Sequence, residues 1–337
     1  MKINFFGMIL LLLTIILSGC GSAESAYQKE MGIGVFTLEE NILFNWYPNG
    51  IEIEDSIVSK KITEGSLLFQ SGKRESFSEL PNLESKNNMV YVENGYVDGP
   101  LAGIYLGEKV ESITKLYDDV IKSLDDGVPV LVFFIDGLSF DQYSNVAETG
   151  ELHFLGEYYE DKIISVFTPV TNAGFAAMIT GKTPDENGVH DRSYRDLKAE
   201  SIFGYADSIG KRSLLLEGEI KILNTEIEPV LHVDVDKDGD TDDEMVITAL
   251  GAVNEDYDLI FIHFHGVDDR GHQYGPQSSE TLDYVKTVDE WITNISSSWE
   301  GNIYATADHG MHSTNEGGDH GVCRYEDMIV PYFTREK

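Results

Sequence analysis

Cysteine is almost missing: 337 residues carry two, Cys20 and Cys323. With Cys20 at the end of an apolar leader, no internal disulfide framework can staple the mature chain, so a packed core must hold it. Cationic side chains are scarce as well. Lys and Arg number 24 against 59 Asp and Glu, a formal net charge of -35. That excludes a basic nucleic-acid surface, and an anionic substrate would need local cations. A chain this acidic can supply them as bound metal. Long apolar runs are absent beyond residue 17, so no internal transmembrane span is expected. The length suits one large domain, or one domain with a smaller companion.

What is present begins with a targeting pattern. Lys2 supplies the charge and Phe5 to Leu17 the apolar core. Leu17-Ser18-Gly19-Cys20 resembles a bacterial lipoprotein signal. That resemblance implies cleavage before Cys20 and lipidation of its thiol. The chain would then be lipid-anchored at the cell membrane, on its extracytoplasmic side. Residues 1–19 are then the signal peptide and 20–31 a polar tether. A plain secretory signal or a short anchor is the alternative.

Residues 32–107 alternate in short runs broken by Gly, Asn and Pro, a pattern that predicts β-hairpins without any chemical motif. From 108 the pattern changes. Glu108 to Leu124 has helical spacing. Val128 to Ile135 is nearly all apolar, as expected of a strand buried on both faces, and ends in Asp136-Gly137. Strands are predicted at Lys162–Phe167, Arg212–Leu216, Val230–Val233, Asp258–His265, Asn302–Ala307 and Met328–Phe333. Helices are predicted at Asn172–Thr180, Ser201–Ser208, Thr241–Val253 and Ser278–Ser297. Alternation of this kind predicts an α/β fold, a three-layer α/β/α sandwich around a mainly parallel sheet, over residues 108–337.

Polar residues gather where those strands end. Asp136 follows the first. Thr168-Pro169-Val170-Thr171-Asn172 follows the second. Asp268 and His272 come after DLIFIHFH, Asp308-His309-Gly310 after NIYATA, and His320 lies in GGDHG. Parallel strands aim such ends at one edge of the sheet, where open α/β sheets bind ligands. Converging carboxylates repel, and divalent cations relieve that repulsion. Mixed Asp/His ligation suits zinc, manganese or iron better than calcium. His263 and His265 share one face of their strand, either orienting ligands or packing in the core. A separate run from Asp234 to Glu244 resembles a calcium loop. Asp234, Asp236, Asp238 and Asp240 stand at alternate positions, with Gly239 at the sixth and Met245 where the closing acid belongs. A weak structural calcium site and a solvated acidic turn are both open there.

Asp136, the Thr171 segment, Asp268-x-x-x-His272 before Gly275-Pro276, Asp308-His309-Gly310 and late His320 together resemble the alkaline phosphatase superfamily. The nearest pattern is its nucleotide pyrophosphatase/phosphodiesterase branch, over residues 128–337. The resemblance implies two divalent metals, zinc or in some branches manganese. Asp136, Thr171, Asp308 and His309 would hold one; Asp268, His272 and His320 would hold the other. It implies phosphoester hydrolysis, with a small-molecule or headgroup substrate, through a phospho-threonine on Thr171. Thr171 rather than Thr168 has the family's distance from Thr180-Gly181. Where many phosphodiesterase members place an Asn, this chain has Arg192, whose guanidinium suits a phosphoryl oxygen pair. Asn172 is a second oxyanion contact. The departure at Arg192 leaves diester against monoester open. Sulfatases need Cys or Ser followed by x-Pro-x-Arg, and Thr171-Asn172-Ala173-Gly174-Phe175 is not that. The alternatives are a phosphotransferase or mutase of the same superfamily, or a non-catalytic calcium-binding surface lipoprotein.

Overall fold

The computed structural model describes residues 33–42, 44–47, 50–53, 64–87, 89–93 and 98–337. The targeting segment, Cys20 and the tether lie outside the described residues.

The N-terminal region is built of strands β1 (Gly34–Phe36), β2 (Phe44–Tyr47), β3 (Gly50–Ile53), β4 (Gly65–Phe69), β5 (Arg74–Phe77), β6 (Leu83–Lys86), β7 (Met89–Val92) and β8 (Leu101–Leu106). Four of them form a sheet in the order β1-β8-β4-β5, and β2/β3 and β6/β7 form separate two-stranded ribbons. All six residues of β8 are buried. One face packs on Ile33, Ile42, Leu83 and Val90. The other meets the C-terminal part of the chain, where Phe36, Leu68, Ala102 and Tyr105 share a cluster with Cys323, Tyr325, Met328 and Ile329. There the backbone of Gly103 lies so close that an added Cβ would stand 2.3 Å from Cys323 Sγ.

Then come α1 (Lys115–Asp125), β9 (Val130–Ile135), α2 (Phe140–Ala147), α3 (Phe154–Glu157), β10 (Tyr159–Ile164), α4 (Thr171–Thr180), α5 (Pro184–Asn187), α6 (Ile202–Ser208), β11 (Ser213–Glu217) and β12 (Val230–Leu231). They are followed by α7 (Asp242–Ala252), β13 (Leu259–Phe264), α8 (Gly266–Tyr274), α9 (Ser279–Ser296), β14 (Asn302–Thr306), β15 (His312–Ser313), β16 (Gly318–Asp319), α10 (Tyr325–Met328) and β17 (Ile329–Arg335). The main sheet has seven strands in the order β10-β17-β14-β9-β13-β11-β12. All run parallel except β17, which pairs antiparallel with both β10 and β14. Helices α1, α4 and α6 pack together on one side, and α2, α3, α7 and α8 against α9 on the other. This is the expected three-layer sandwich.

The sheet's centre follows from its sequence. Every residue of β9 and β13 is buried, as their continuous apolar runs require. Helix α1 turns Leu116, Val120 and Leu124 inward at i, i+4 and i+8. The helical spacing read from Glu108 starts too early. Residues 108–114 are not helical, because Ile113 N–H donates to Ile164 O at 3.0 Å and Ile164 N–H to Glu111 O at 2.9 Å. Pairing with the end of β10 outcompetes a helix there. Helix α2 starts where Ser139 and Gln142 form a reciprocal cap. Helix α8 went unread in the sequence. Its start is held from outside, by Asp242, whose carboxylate accepts from His265 N–H and Gly266 N–H.

Candidate active site

Parallel strands carry the chemistry to one edge. Asp136 follows β9 and Asp308 follows β14, and these two strands are hydrogen-bonded neighbours. His309 Nε2 stands 3.4 Å from Asp136 Oδ1 and 3.1 Å from Asp308 Oδ2. Gly137 N–H donates to the other oxygen of Asp308 at 3.2 Å. All three side chains are buried.

The second group lies alongside. Asp268 and His272, four apart on α8, share one helix face, with His272 Nε2 3.3 Å from Asp268 Oδ2. His320 follows β16. Its Nδ1 bonds the carbonyl of Pro169 at 2.9 Å, and its Nε2 stands 3.7 Å from Asp268 Oδ1. His309 and His320 stack with ring centroids 3.8 Å apart, joining the two groups.

Thr171 is the first residue of α4, and the chain on either side of it touches both groups. Two residues earlier, Pro169 is bonded to His320. One turn later, Gly174 lies against Asp308; a Cβ there would stand 2.5 Å from Asp308 Cβ. Only glycine permits that approach, so the helix N-terminus is drawn over the strand end. Thus the fold brings Asp136, Thr171, Asp268, His272, Asp308, His309 and His320 into one region.

The test for a cation lies in what these groups lack. Asp136 Oδ1, Asp268 Oδ1, Asp308 Oδ2 and His309 Nε2 are buried with no hydrogen-bond partner. Such atoms are costly to leave unsatisfied. Asp136, Asp308 and His309 bring one ligand atom each within 4.8 Å of one another, as do Asp268, His309 and His320. The donor set is mixed carboxylate and imidazole and fits divalent metals of zinc or manganese type.

The electrostatics agree. Burial and then the neighbouring charge of Asp136 push the Asp308 carboxyl up to about 7. Burial opposes ionisation of Asp136 too, yet hydrogen bonds from His263 and His265 and the charge of His309 hold it well below the usual range. Its hydrogen bond to Asp268 raises His272 to about 9. Burial, with repulsion from His309, takes His320 down to about 4.

Two further expected residues are close by. Arg192 Nη2 lies 2.5 Å from His320 Nε2. That nitrogen has a single lone pair when Nδ1 carries the proton, so Arg192 and a cation compete for it. Asp191 is taken up by Ser193, whose N–H and hydroxyl both bond it. Asn172 is buried, and its side-chain amide donates to Tyr194 O at 2.9 Å and Ile222 O at 3.4 Å. That amide ties the loop bearing Arg192 to α4, so what this position offers an oxyanion comes from the helix N-terminal backbone.

The acidic run forms its own turn. Asp234 accepts from Lys237 N–H and Gly239 N–H, and Asp236 and Asp238 each accept two residues on. The carboxylates of Asp234, Asp236 and Asp238 converge, as do those of Asp236, Asp243 and Glu244. Asp240 instead accepts from Arg270 at 2.8 Å and from Tyr284 at 3.2 Å. Met245 is in the core, and Glu244, one place earlier, is the acid that turns back to Val235 N–H. A cavity of about 330 Å³ opens between this turn and the sheet edge, with Asp234, Asp240, Asp242, His265 and Asp269 in its walls.

Glu217, at the end of β11, escaped the sequence reading. It is buried and bonded to His263 at 2.8 Å. The strand-end rule that flagged Asp136 would have found it. His312, another histidine near the site in sequence, pairs with Asp327 at 2.7 Å instead.

A family model described as type I phosphodiesterase / nucleotide pyrophosphatase matches residues 130–230 and 221–331. Among curated relatives, mouse GPI ethanolamine phosphate transferase 1 is 32% identical over 91 residues, 24% of this chain and 9% of that protein. Mouse ectonucleotide pyrophosphatase/phosphodiesterase family member 7 is 35% identical over 71 residues, 19% of this chain and 16% of that protein. The matches thus span less than a fifth of either relative's length. Among solved structures, murine ectonucleotide pyrophosphatase / phosphodiesterase 5 gives a TM-score of 0.45 at 19% identity, covering 56% of this chain and 58% of that one. Phosphonoacetate hydrolase from Sinorhizobium meliloti 1021 gives 0.44 at 17% identity, covering 55% and 56%.

Proposed function

The chain belongs to the type I phosphodiesterase / nucleotide pyrophosphatase family, and from that premise we propose that it is a two-metal phosphoester hydrolase with Thr171 as nucleophile. Asp136, Thr171, Asp308 and His309 would hold one cation and Asp268, His272 and His320 the other, zinc first and manganese second. The observation that carries this reading is the set of buried, unpartnered atoms on Asp136, Asp268, Asp308 and His309.

Divalent cations held by these residues would lower the pKa of a hydroxyl and offset the negative charge that develops in the displacement. The residues of the chain do the rest. Thr171 Oγ1 gives up its proton to solvent and attacks phosphorus; a new P–O bond forms, the bond to the leaving group breaks, and the departing alkoxide takes a proton from solvent. The phosphoryl oxygens face the N-terminus of α4, whose backbone N–H groups and dipole favour negative charge. Arg192, on the exposed side, reaches the same oxygens in a bidentate grip. Water then attacks the phospho-threonine, breaking the bond to Oγ1 and returning the hydroxyl.

The substrate class is a small phosphoester or a phosphorylated headgroup. Lipidation at Cys20 and display on the outer side of the membrane are part of the same proposal; the mass of the mature N-terminal peptide tests them.

Thr171→Ala is the direct test, assayed on p-nitrophenyl monoesters, diesters and phosphonates. Turnover falls on the order of a thousandfold or more, while metal content stays at two per chain. Wild-type-like turnover in that variant rules out Thr171 as nucleophile. Added alcohols distinguish hydrolysis from phosphoryl transfer, since a transferase yields the alkyl phosphoester.

A further inference from the structure

The two oxygens of Asp136 live in different surroundings. Oδ1 has no partner and faces His309. Oδ2 faces His263 Nε2 at 3.3 Å and His265 Nδ1 at 3.6 Å. The opposite edges of the same two rings face Glu217: His263 Nδ1 at 2.8 Å and His265 Nε2 at 3.5 Å from its Oε2. His263 therefore bridges one oxygen of Asp136 and one of Glu217 by hydrogen bonds, while His265 lies beside both at longer range, its Nε2 left without a hydrogen-bond partner. Their centroids are 3.8 Å apart, and Phe134 stacks on the far face of His263 at 3.7 Å. Glu217 is 1% exposed and His263 not at all.

A buried carboxylate such as Glu217 is expensive unless fully bonded. Its side-chain hydrogen bond is to His263, whose opposite nitrogen ends on Asp136. An aspartate can turn about its last bond and present either oxygen. Here His263 decides which one, because its ring is clamped by Phe134 and by the bond from Nδ1 to Glu217. Without Glu217 the ring could flip or tilt, and Oδ1 would no longer be the free oxygen.

We propose that Glu217, acting through His263, is a positioning residue that orients Asp136 so that its Oδ1 is left for the cation. This rests on the reading that Asp136 is a metal ligand. It goes beyond that reading by assigning a role to two residues outside the proposed ligand set. Carboxylates behind ligand-orienting groups commonly contribute ten- to a hundredfold to metal affinity.

The test is stepwise chelator competition on the zinc-loaded, full-length protein, wild type against Glu217→Gln. The variant is expected to release one of its two cations about ten- to a hundredfold more readily and to hold the other within about threefold. Excess zinc is expected to restore kcat with KM unchanged, which a purely packing role would not produce. If Glu217→Gln does not fold by circular dichroism, Glu217→Asp, which keeps the charge at shorter reach, and His263→Gln put the same question. Unchanged affinity for both cations in a folded variant, with only a lower melting temperature, overturns the positioning role and leaves the two-metal reading standing. A wild type that binds no divalent cation overturns both.

Discussion

The two halves of the candidate site are built differently. Asp136, Asp308 and His309 stand just past the ends of two adjacent parallel strands, and Asp308 and His309 have no side-chain exposure at all. Asp268 and His272 stand on a helix and His320 on a loop; the His272 side chain is 34% exposed and that of Asp268 12%. The strand-borne half is closed to solvent and sets one imidazole, His309, against two carboxylates, so a cation or a proton on Asp308 relieves what His309 does not. The helix-borne half relieves itself, because His272 can carry charge against Asp268. In the two-metal proposal, the first half would demand its cation and the second would tune how readily another is taken up.

Single substitutions should expose that contrast. Asp308→Ala leaves Asp136 and His309 facing a gap, and turnover should fall on the order of a thousandfold with no recovery in excess metal. His272→Ala should cost about ten- to a hundredfold and recover as zinc is raised. Equal, unrecoverable losses would mean that the halves are not distinct.

Gly174→Ala comes next in size. Its added Cβ meets Asp308 Cβ at 2.5 Å and Asp308 O at 2.8 Å, so α4 and the end of β14 must part. Overpacking of this kind costs about 1–3 kcal/mol, readable by urea denaturation. Because the helix carries Thr171, kcat should fall more than stability alone explains. An unchanged kcat would separate Thr171 from the strand-borne half.

The smallest effect is on pH. His272 rises from 6.5 to about 9 through its bond to Asp268. A group with a raised folded pKa gives stability that is complete below its unfolded value and lost as pH climbs through the folded one. Chelator-treated protein should therefore lose on the order of a few degrees of melting temperature between about pH 6.5 and 9. Zinc-loaded protein should lose less, since the cation displaces the proton. Parallel losses in both forms would contradict cation binding at His272.

The strand-borne half was the more legible in sequence, for the same reason that it is the more rigid. Runs such as VLVFFI have only one home, the middle of a covered sheet, and a polar residue just past them must lie at its edge. Helix α8 gave no such signal, since GVDDRGHQY is polar and glycine-rich and is started by Asp242 from another segment. Glu217 hid in plain view at the end of a short strand. The helix expected from Glu108 failed because its first turn pairs with β10 instead, a contact made only in three dimensions. Arg192 was legible as a cation near the site, but its hold on His320 was not.

The seam at Cys323 has a consequence for how the protein can be divided. Phe36, Leu68 and Tyr105 from the first sheet cover Tyr325, Met328 and Ile329, five to nine residues past His320. A chain cut before residue 108 would retain every proposed metal ligand, yet strip the apolar cover from the segment that follows the last of them. The groups of the proposed chemistry all lie past residue 108, but the apolar contacts that cover the segment after the last of them extend across it.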